Sequence, residues 1–258
     1  MKTLQALFGT THPVALVTGS GAKRVGHSIV MALAERGYAV ALHADSSLEE
    51  AQATVAKLTK QGKSAAAFHA NLAEESEAYG LVDAVIQKFG RLDVLVNAAA
   101  VWSPLPLEEV RGKDLLHNFE VNTLGTFYCC QRAGLQMTKQ PTGGAIVNIG
   151  DWAIARPYLN YAAYFPSKGA IPTLTRNFAI ELSSRNPRVR VNAILPGPVM
   201  LPEDLPEEER QASINGTLVK REGSPEHIAD AAIFLIENDF VTGICLPVDG
   251  GRTICEQS

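Results

Sequence analysis

Short, nearly unbroken apolar runs recur along the chain, separated by longer stretches whose apolar positions return every three or four residues. The runs at 14–18, 39–43, 65–69, 93–97, 145–149, 189–195 and 244–248 do not alternate with polar residues, which predicts strands covered on both faces. The periodic stretches at 26–36, 48–61, 74–89, 110–137, 161–184 and 225–237 predict helices. Strand and helix in regular succession imply an α/β doubly wound fold, a parallel sheet of about seven strands with right-handed crossovers laying helices on both faces. No internal repeat or low-complexity tract divides the pattern, so residues 1–258 are expected to form one domain with tails at 1–12 and 253–258.

One segment breaks the rhythm. Residues 199–222 follow a strand through Pro196-Gly197-Pro198 and carry Pro202, Pro206 and the acidic run Glu207, Glu208, Glu209. A connection this long in a compact domain points to a lid or a loose insertion. The lid reading places short helices over the carboxyl ends of the strands, where open α/β sheets bind ligands. The alternative is a solvated surface excursion.

Composition narrows the classes. At 46% hydrophobic and 19% charged, the 258 residues can bury a sizeable core. A net charge of -4 and a pI near 5.9 argue against a nucleic-acid partner, which calls for a basic face. Cys129, Cys130, Cys245 and Cys255 lack CxxC spacing, and the histidines lack HxxxH or HExxH spacing, so no metal site is expected. No apolar run approaches the ~20 residues of a membrane span, and a cytoplasmic setting is the expectation.

The first strand runs directly into a loop with Gly19, Gly21 and Gly26, and then into a helix. Glycines there let the backbone turn tightly and approach a ligand, and the helix N-terminus favours negative charge, so a dinucleotide site is expected. Lys23 and Arg24 lie inside the loop, where cations suit the extra 2′-phosphate of NADP. At the second strand end, His43 is a candidate cofactor contact, and Ser46 and Ser47 could hold that phosphate. Asp45 is the competing sign: an acid on the ribose hydroxyls selects NAD. NADP (as NADPH) is the expected cofactor, with NAD as the alternative.

Thr18-Gly19, Asn97-Ala98, Asn122, Tyr164-x-x-x-Lys168, Pro196-Gly197 and Asp249-Gly250-Gly251 fall in order on the expected elements. Together they resemble the short-chain dehydrogenase/reductase family over about residues 12–254. The resemblance implies a Rossmann-like domain, a nicotinamide cofactor and a homotetramer or homodimer. It also implies that Val25, Asn71, Leu72, Ala98, Ala99 and Val199 join Tyr164 and Lys168 around that cofactor. The stretch Ala22-Lys23-Arg24-Val25-Gly26, with Asp151 upstream of Tyr164, is similar to the pteridine reductase branch, which reduces dihydropterins with NADPH. In that branch an aspartate stands where most relatives have a catalytic serine. The aromatic ring expected near position 101 to hold a pterin is replaced by Val101, with Trp102 adjacent. The substrate is expected among Val101, Trp102, Asp151, Tyr164, Met200 and Leu201.

Tyr164 and Lys168 are four apart and share a helix face. An ammonium nearby favours the phenolate, whereas the Asp151 carboxylate disfavours it and keeps Tyr164 protonated, as a proton donor to a ring nitrogen must be. By the resemblance, Asn122 holds a proton-relay water against Lys168. The plainer reading of Asp151 is a cap on the loop after the fifth strand, facing solvent. Pro172, inside the predicted catalytic helix, should free the Lys168 carbonyl and kink the helix, with a local bulge as one outcome. Two other functions stay open: a carbonyl reductase acting on a 3-oxoacyl, sugar or steroid substrate, and a non-catalytic NADP-binding regulator.

Overall fold

The computed structural model describes residues 2–255. Seven parallel strands form one sheet: β1 (Val14–Thr18), β2 (Ala39–Ala44), β3 (Ala65–His69), β4 (Val94–Asn97), β5 (Gly144–Ile149), β6 (Val189–Pro196) and β7 (Cys245–Val248). Their order is β3-β2-β1-β4-β5-β6-β7. The chain winds outward from β1 in one direction and, from β4, in the other. That reversal opens a crevice at the carboxyl ends of β1 and β4, the position at which such sheets take ligands.

The helices are α1 (Leu4–Phe8), α2 (Val25–Glu35), α3 (Leu48–Lys60), α4 (Glu75–Phe89), α5 (Gly112–Asn118), α6 (Gly125–Met137), α7 (Tyr164–Ser183), α8 (Glu207–Asn215) and α9 (Pro225–Glu237). Side chains alternate across each strand, so the sheet feeds two cores. Val17, Val40, Val96 and Val147 pack with Ile29, Leu33 and Leu235 under α2 and α9. Leu16, Ala41, Leu95 and Ile146 pack on the other face with Val82, Cys129, Met137 and Leu182 of α4, α6 and α7. Both neighbouring thiols of α6 are buried, and burial pushes Cys129 up to about 12.

Four expectations are corrected. The start of the chain is not a loose tail: Thr3 caps α1, and Phe8 is buried edge-on against Tyr38 at a centroid distance of 6.0 Å. At the other end, residues 256–258 of the expected tail lie outside the described residues. The helix expected over 110–137 is broken into α5, a π-helical stretch at Phe119–Leu124, and α6. The helix expected from residue 161 begins at Tyr164, because residues 161–163 are turn. Pro172 does not interrupt α7, which runs unbroken to Ser183; the irregular turn stands instead on the neighbouring helix, around Asn122.

Candidate active site

The nucleotide end is built from backbone. Gly19 has φ +61, and a Cβ there would meet Ala99 Cα at 2.5 Å, so only glycine fits between β1 and the loop after β4. Thr18 Oγ1 accepts from the N–H groups of Ala98 at 3.0 Å and Ala99 at 3.1 Å, tying those two loops together. Asn97 donates to Asn148 Oδ1 at 2.9 Å, and Asn148 donates to Thr175 Oγ1 at 3.0 Å, bracing the tips of β4 and β5 on α7.

His43, expected as a cofactor contact, is buried with both ring nitrogens engaged by the fold. The Gly19 N–H donates to its Nδ1 at 3.0 Å, so Nε2 carries the proton and donates to the Ala70 carbonyl at 3.0 Å. Burial lowers its pKa, consistent with a neutral ring that holds the glycine turn from beneath. Leu72 likewise turns its side chain into the core against Gly125. Asn71 closes its own turn, its Oδ1 accepting from the Ala73 N–H at 3.1 Å. Ser47 packs against Gly21, Ser46 is exposed, and exposed Asp45 sits 3.7 Å from His69 Nε2.

Lys23 and Arg24 are exposed at the loop tip ahead of α2, and neither makes an ion pair among the described residues. Val25 opens the helix behind them. Two uncompensated cations on a glycine turn, beside the Ser46–Ser47 corner, form a donor set that fits a phosphorylated dinucleotide.

At the other end of the crevice, the turn after β5 carries Asp151, and α7 carries Tyr164 and Lys168. The Tyr164 hydroxyl donates to Asp151 Oδ2 at 2.8 Å, while Asp151 Oδ1 accepts from the Ala153 N–H at 2.8 Å and caps the turn Trp152–Ile154. Asp151 is therefore both a cap and a partner of the tyrosine. Lys168 is buried and its Nζ donates to the Ile149 carbonyl at 2.9 Å.

Burial raises the Asp151 pKa against its hydrogen bonds. Burial first, and then the Asp151 charge, push Tyr164 far above the usual tyrosine range. Burial lowers Lys168 to about 8. The ammonium thus does not win over the carboxylate, and Tyr164 is held as a neutral phenol.

Asn122 is fully buried in the π-helical stretch. Its Oδ1 accepts from the Val101 N–H at 2.8 Å, and its Nδ2 donates to the Val101 carbonyl at 3.1 Å and to Ser167 Oγ at 3.0 Å. Its backbone carbonyl accepts from the Thr126 hydroxyl at 2.8 Å. The side chain thus fixes the segment that carries Trp102 onto α7.

That segment opens an aromatic wall. Trp102 stacks on Tyr161 at 5.1 Å and 16°; Tyr158 stands edge-on to Tyr161 at 5.0 Å and to Phe165 at 4.9 Å. Tyr161 reaches Tyr164 at 6.2 Å. Tyr158 and Tyr161 are additions to the expected site. Their signal in the sequence is the spacing of three that links tyrosines 158, 161 and 164.

Gly197 donates to the Val248 carbonyl at 3.0 Å, following Pro196 at the tip of β6. Val199 is buried and Met200 is half exposed, while the Leu201 N–H donates to Glu222 Oε1 at 3.0 Å. Arg210 of α8 donates to the other Glu222 oxygen at 3.0 Å, so Glu222 draws the two ends of the 199–222 segment together.

A family model described as enoyl-(acyl carrier protein) reductase matches residues 21–253. The chain is 35% identical to pteridine reductase 1 of Leishmania tarentolae, covering 95% of this chain and 97% of that one. It is 33% identical to 3-oxoacyl-[acyl-carrier-protein] reductase of Staphylococcus aureus, covering 92% and 96%. The chain belongs to the short-chain dehydrogenase/reductase family. A blue fluorescent protein from a metagenomic library, solved in complex with NADPH, has the same fold, with a TM-score of 0.85 at 32% identity over 93% of this chain and 97% of that one. As a member of this family the protein is an NAD(P)-dependent oxidoreductase. No helix among the described residues is long and apolar enough to cross a membrane.

Proposed function

We propose that this short-chain reductase uses NADPH to reduce a C=N bond of a pteridine, of the dihydropterin or dihydrofolate type. The observation that carries the reading is the 2.8 Å hydrogen bond from Tyr164 to Asp151. Lys23, Arg24, Ser46 and Ser47 would hold the 2′-phosphate end of the cofactor, and Lys168 the nicotinamide ribose. Bound there, NADPH supplies a hydride to the imine carbon.

The protein's own part is the proton. With Asp151 ionised, the phenol hydrogen points at the carboxylate. Once Asp151 is protonated, it can donate to the Tyr164 oxygen, and the phenol hydrogen turns to the substrate nitrogen. Transfer then moves one proton from Tyr164 to the ring and one from Asp151 to Tyr164, so free phenolate never forms. The raised pKa of Asp151 brings this relay nearer neutral pH. The Trp102–Tyr161 stack offers a flat face to a planar heterocycle. Exposed Leu124, Leu135 and Ile180, along the π-helical stretch, α6 and α7, support a homotetramer or homodimer.

The test is a turnover panel of dihydropterins beside 3-oxoacyl, sugar and steroid ketones, each with NADPH and NADH. Dihydropterin reduction with a clear NADPH preference is expected, and Asp151→Ser should lower kcat by about 10²–10⁴-fold while leaving NADPH affinity within about twofold. Preferential ketone reduction, or unchanged pterin turnover in Asp151→Ser, would overturn the assignment.

A further inference from the structure

A second charged group lies just outside the Tyr164–Asp151 pair. Arg252 follows the Gly250-Gly251 turn after β7, and Arg156 lies in the loop between β5 and α7. The Arg252 guanidinium stacks over the ring of Trp152, the neighbour of Asp151, at 4.8 Å from the centroid. Its Nη1 donates to the Ser213 carbonyl of α8 at 2.5 Å. Arg156 Nη1 donates to the Arg252 carbonyl at 3.2 Å and to the Cys255 carbonyl.

Every one of these acceptors is a neutral carbonyl. Among the described residues, no carboxylate makes an ion pair with either guanidinium. Asp249, the nearby acid, is engaged elsewhere: Oδ1 accepts from the Gly251 N–H at 2.9 Å, and Oδ2 accepts from the Thr253 N–H at 2.7 Å and its hydroxyl at 2.6 Å. Arg252 Nε is buried with no acceptor among the described residues. Two guanidiniums held half-buried beside one another repel: burial first, and then the Arg156 charge, lowers the Arg252 pKa.

Position gives this repulsion a use. The Trp152 ring that Arg252 covers belongs to the residue next to Asp151, so the arginine stands beside the Tyr164–Asp151 pair. The planar fork of arginine matches carboxylate and phosphate oxygens two at a time. An anion placed against the two guanidiniums neutralises the pair.

We propose that Arg156 and Arg252 form an anion subsite beside the catalytic pair, which takes a carboxylate or phosphate on the tail of the substrate. The identity of the substrate's head as a pterin rests on the reading above; the subsite rests on the arginines alone. The subsite favours a tailed dihydropterin over one with a neutral side chain.

The experiment compares kcat/KM for three dihydropterins with NADPH at low ionic strength. One bears a neutral hydroxyalkyl chain, one a p-aminobenzoyl-glutamate tail, and one a phosphate ester of the hydroxyalkyl chain. At least one anionic tail should raise kcat/KM about tenfold or more over the neutral chain, chiefly through KM, and added salt should erode the gain. Which tail gains separates carboxylate from phosphate. The preference should collapse in both Arg156→Gln and Arg252→Gln, and Arg252→Lys should retain part of it.

In parallel, p-aminobenzoyl-glutamate and inorganic phosphate are titrated into the enzyme–NADP complex. At least one of them should bind about tenfold more weakly to the Arg252→Gln variant than to the wild type. If no dihydropterin is reduced but this arginine-dependent binding persists, the pteridine reading fails and the subsite stands. Equal kcat/KM for all three substrates overturns the subsite, and so does arginine-independent binding of both probes. Parallel loss of activity on all three substrates in both Gln variants also overturns it, leaving Arg252 as a structural latch on Ser213.

Discussion

The two ends of the crevice are built on opposite principles. At the nucleotide end, Thr18, Ser20, His43, Asn97 and Asn148 are buried, and their hydrogen bonds run to backbone or to other buried side chains. Across the crevice, Trp102 and Tyr158 are half exposed, α8 has no buried residue, and Arg156 and Arg252 make no ion pair among the described residues. The first end is braced by the fold's own hydrogen bonds beneath two exposed cations, Lys23 and Arg24; the other presents half-exposed rings and guanidiniums that a ligand can cover. Ligand-binding segments are drawn from the less stable part of a fold for this reason. A common cofactor can thus be bound rigidly while the substrate is chosen by a more adaptable face.

The sharpest way to break the comparison is at Gly19. In Gly19→Ala the positive φ alone costs on the order of 1–3 kcal/mol, and contact with Ala99 Cα at 2.5 Å adds to it. Denaturant unfolding should show this loss, and isothermal titration should show NADPH affinity falling about 100-fold, equivalent to about 2.7 kcal/mol. A normal Tm with normal NADPH binding would mean that the turn is not pre-formed.

Trp102→Ala probes the opposite end. Loss of its stack on Tyr161 should raise the KM for a dihydropterin about tenfold, an effect of about 1.4 kcal/mol, while NADPH binding and Tm stay nearly unchanged. A fall in NADPH affinity of the same size would merge the two ends into one cooperative site.

The smallest effect concerns stability and pH. Asp151 has a folded pKa above its ordinary 3.8, so the folded chain holds more protons than the unfolded one across that window. Stability therefore falls as pH rises from the ordinary to the raised value, and the ionised carboxylate remains a burden at neutral pH. Asp151→Ser keeps a hydroxyl for the Ala153 cap and should gain about 0.5–1 kcal/mol at pH 7 despite its lost activity. Lys168 has the opposite proton balance: its pKa is lowered from 10.5 to about 8, so stability rises with pH between those values. Thermal unfolding across pH for wild type and Asp151→Ser checks both slopes; a destabilised Asp151→Ser would contradict the assignment of strain to this carboxylate.

Much of this architecture was legible from pattern alone. The unbroken apolar strands announced burial on both faces, and the glycine turn after β1 announced its position, because both follow from local periodicity and φ/ψ limits. The tyrosine–lysine pair could be placed on one helical face from spacing. What pattern could not give was direction. His43 read as a ligand contact, but its ring turns beneath the loop to Gly19 and Ala70. Pro172 read as a kink with a local bulge as one outcome, yet α7 carries no bulge there, and the irregular π turn falls on the helix packed beside it. Phe8 read as part of a tail, yet it finds Tyr38 from across the sequence.

The sequence by itself determined the fold class, the family and the chemical types at the reacting centre, since these rest on short-range periodicity and fixed spacings. The tertiary structure supplied the contacts behind the expected hold of Asp151 on Tyr164. Lys168 is four residues away and Asp151 thirteen, but the folded chain gives the nearer residue to the Ile149 carbonyl and the farther one to the phenol. It also decided that Trp102, Tyr158 and Tyr161 share a wall, and that Arg156 and Arg252 meet from loops far apart in the chain. Distance along the chain carries no information about such pairs, whereas burial and Coulomb energy act only on distance through space.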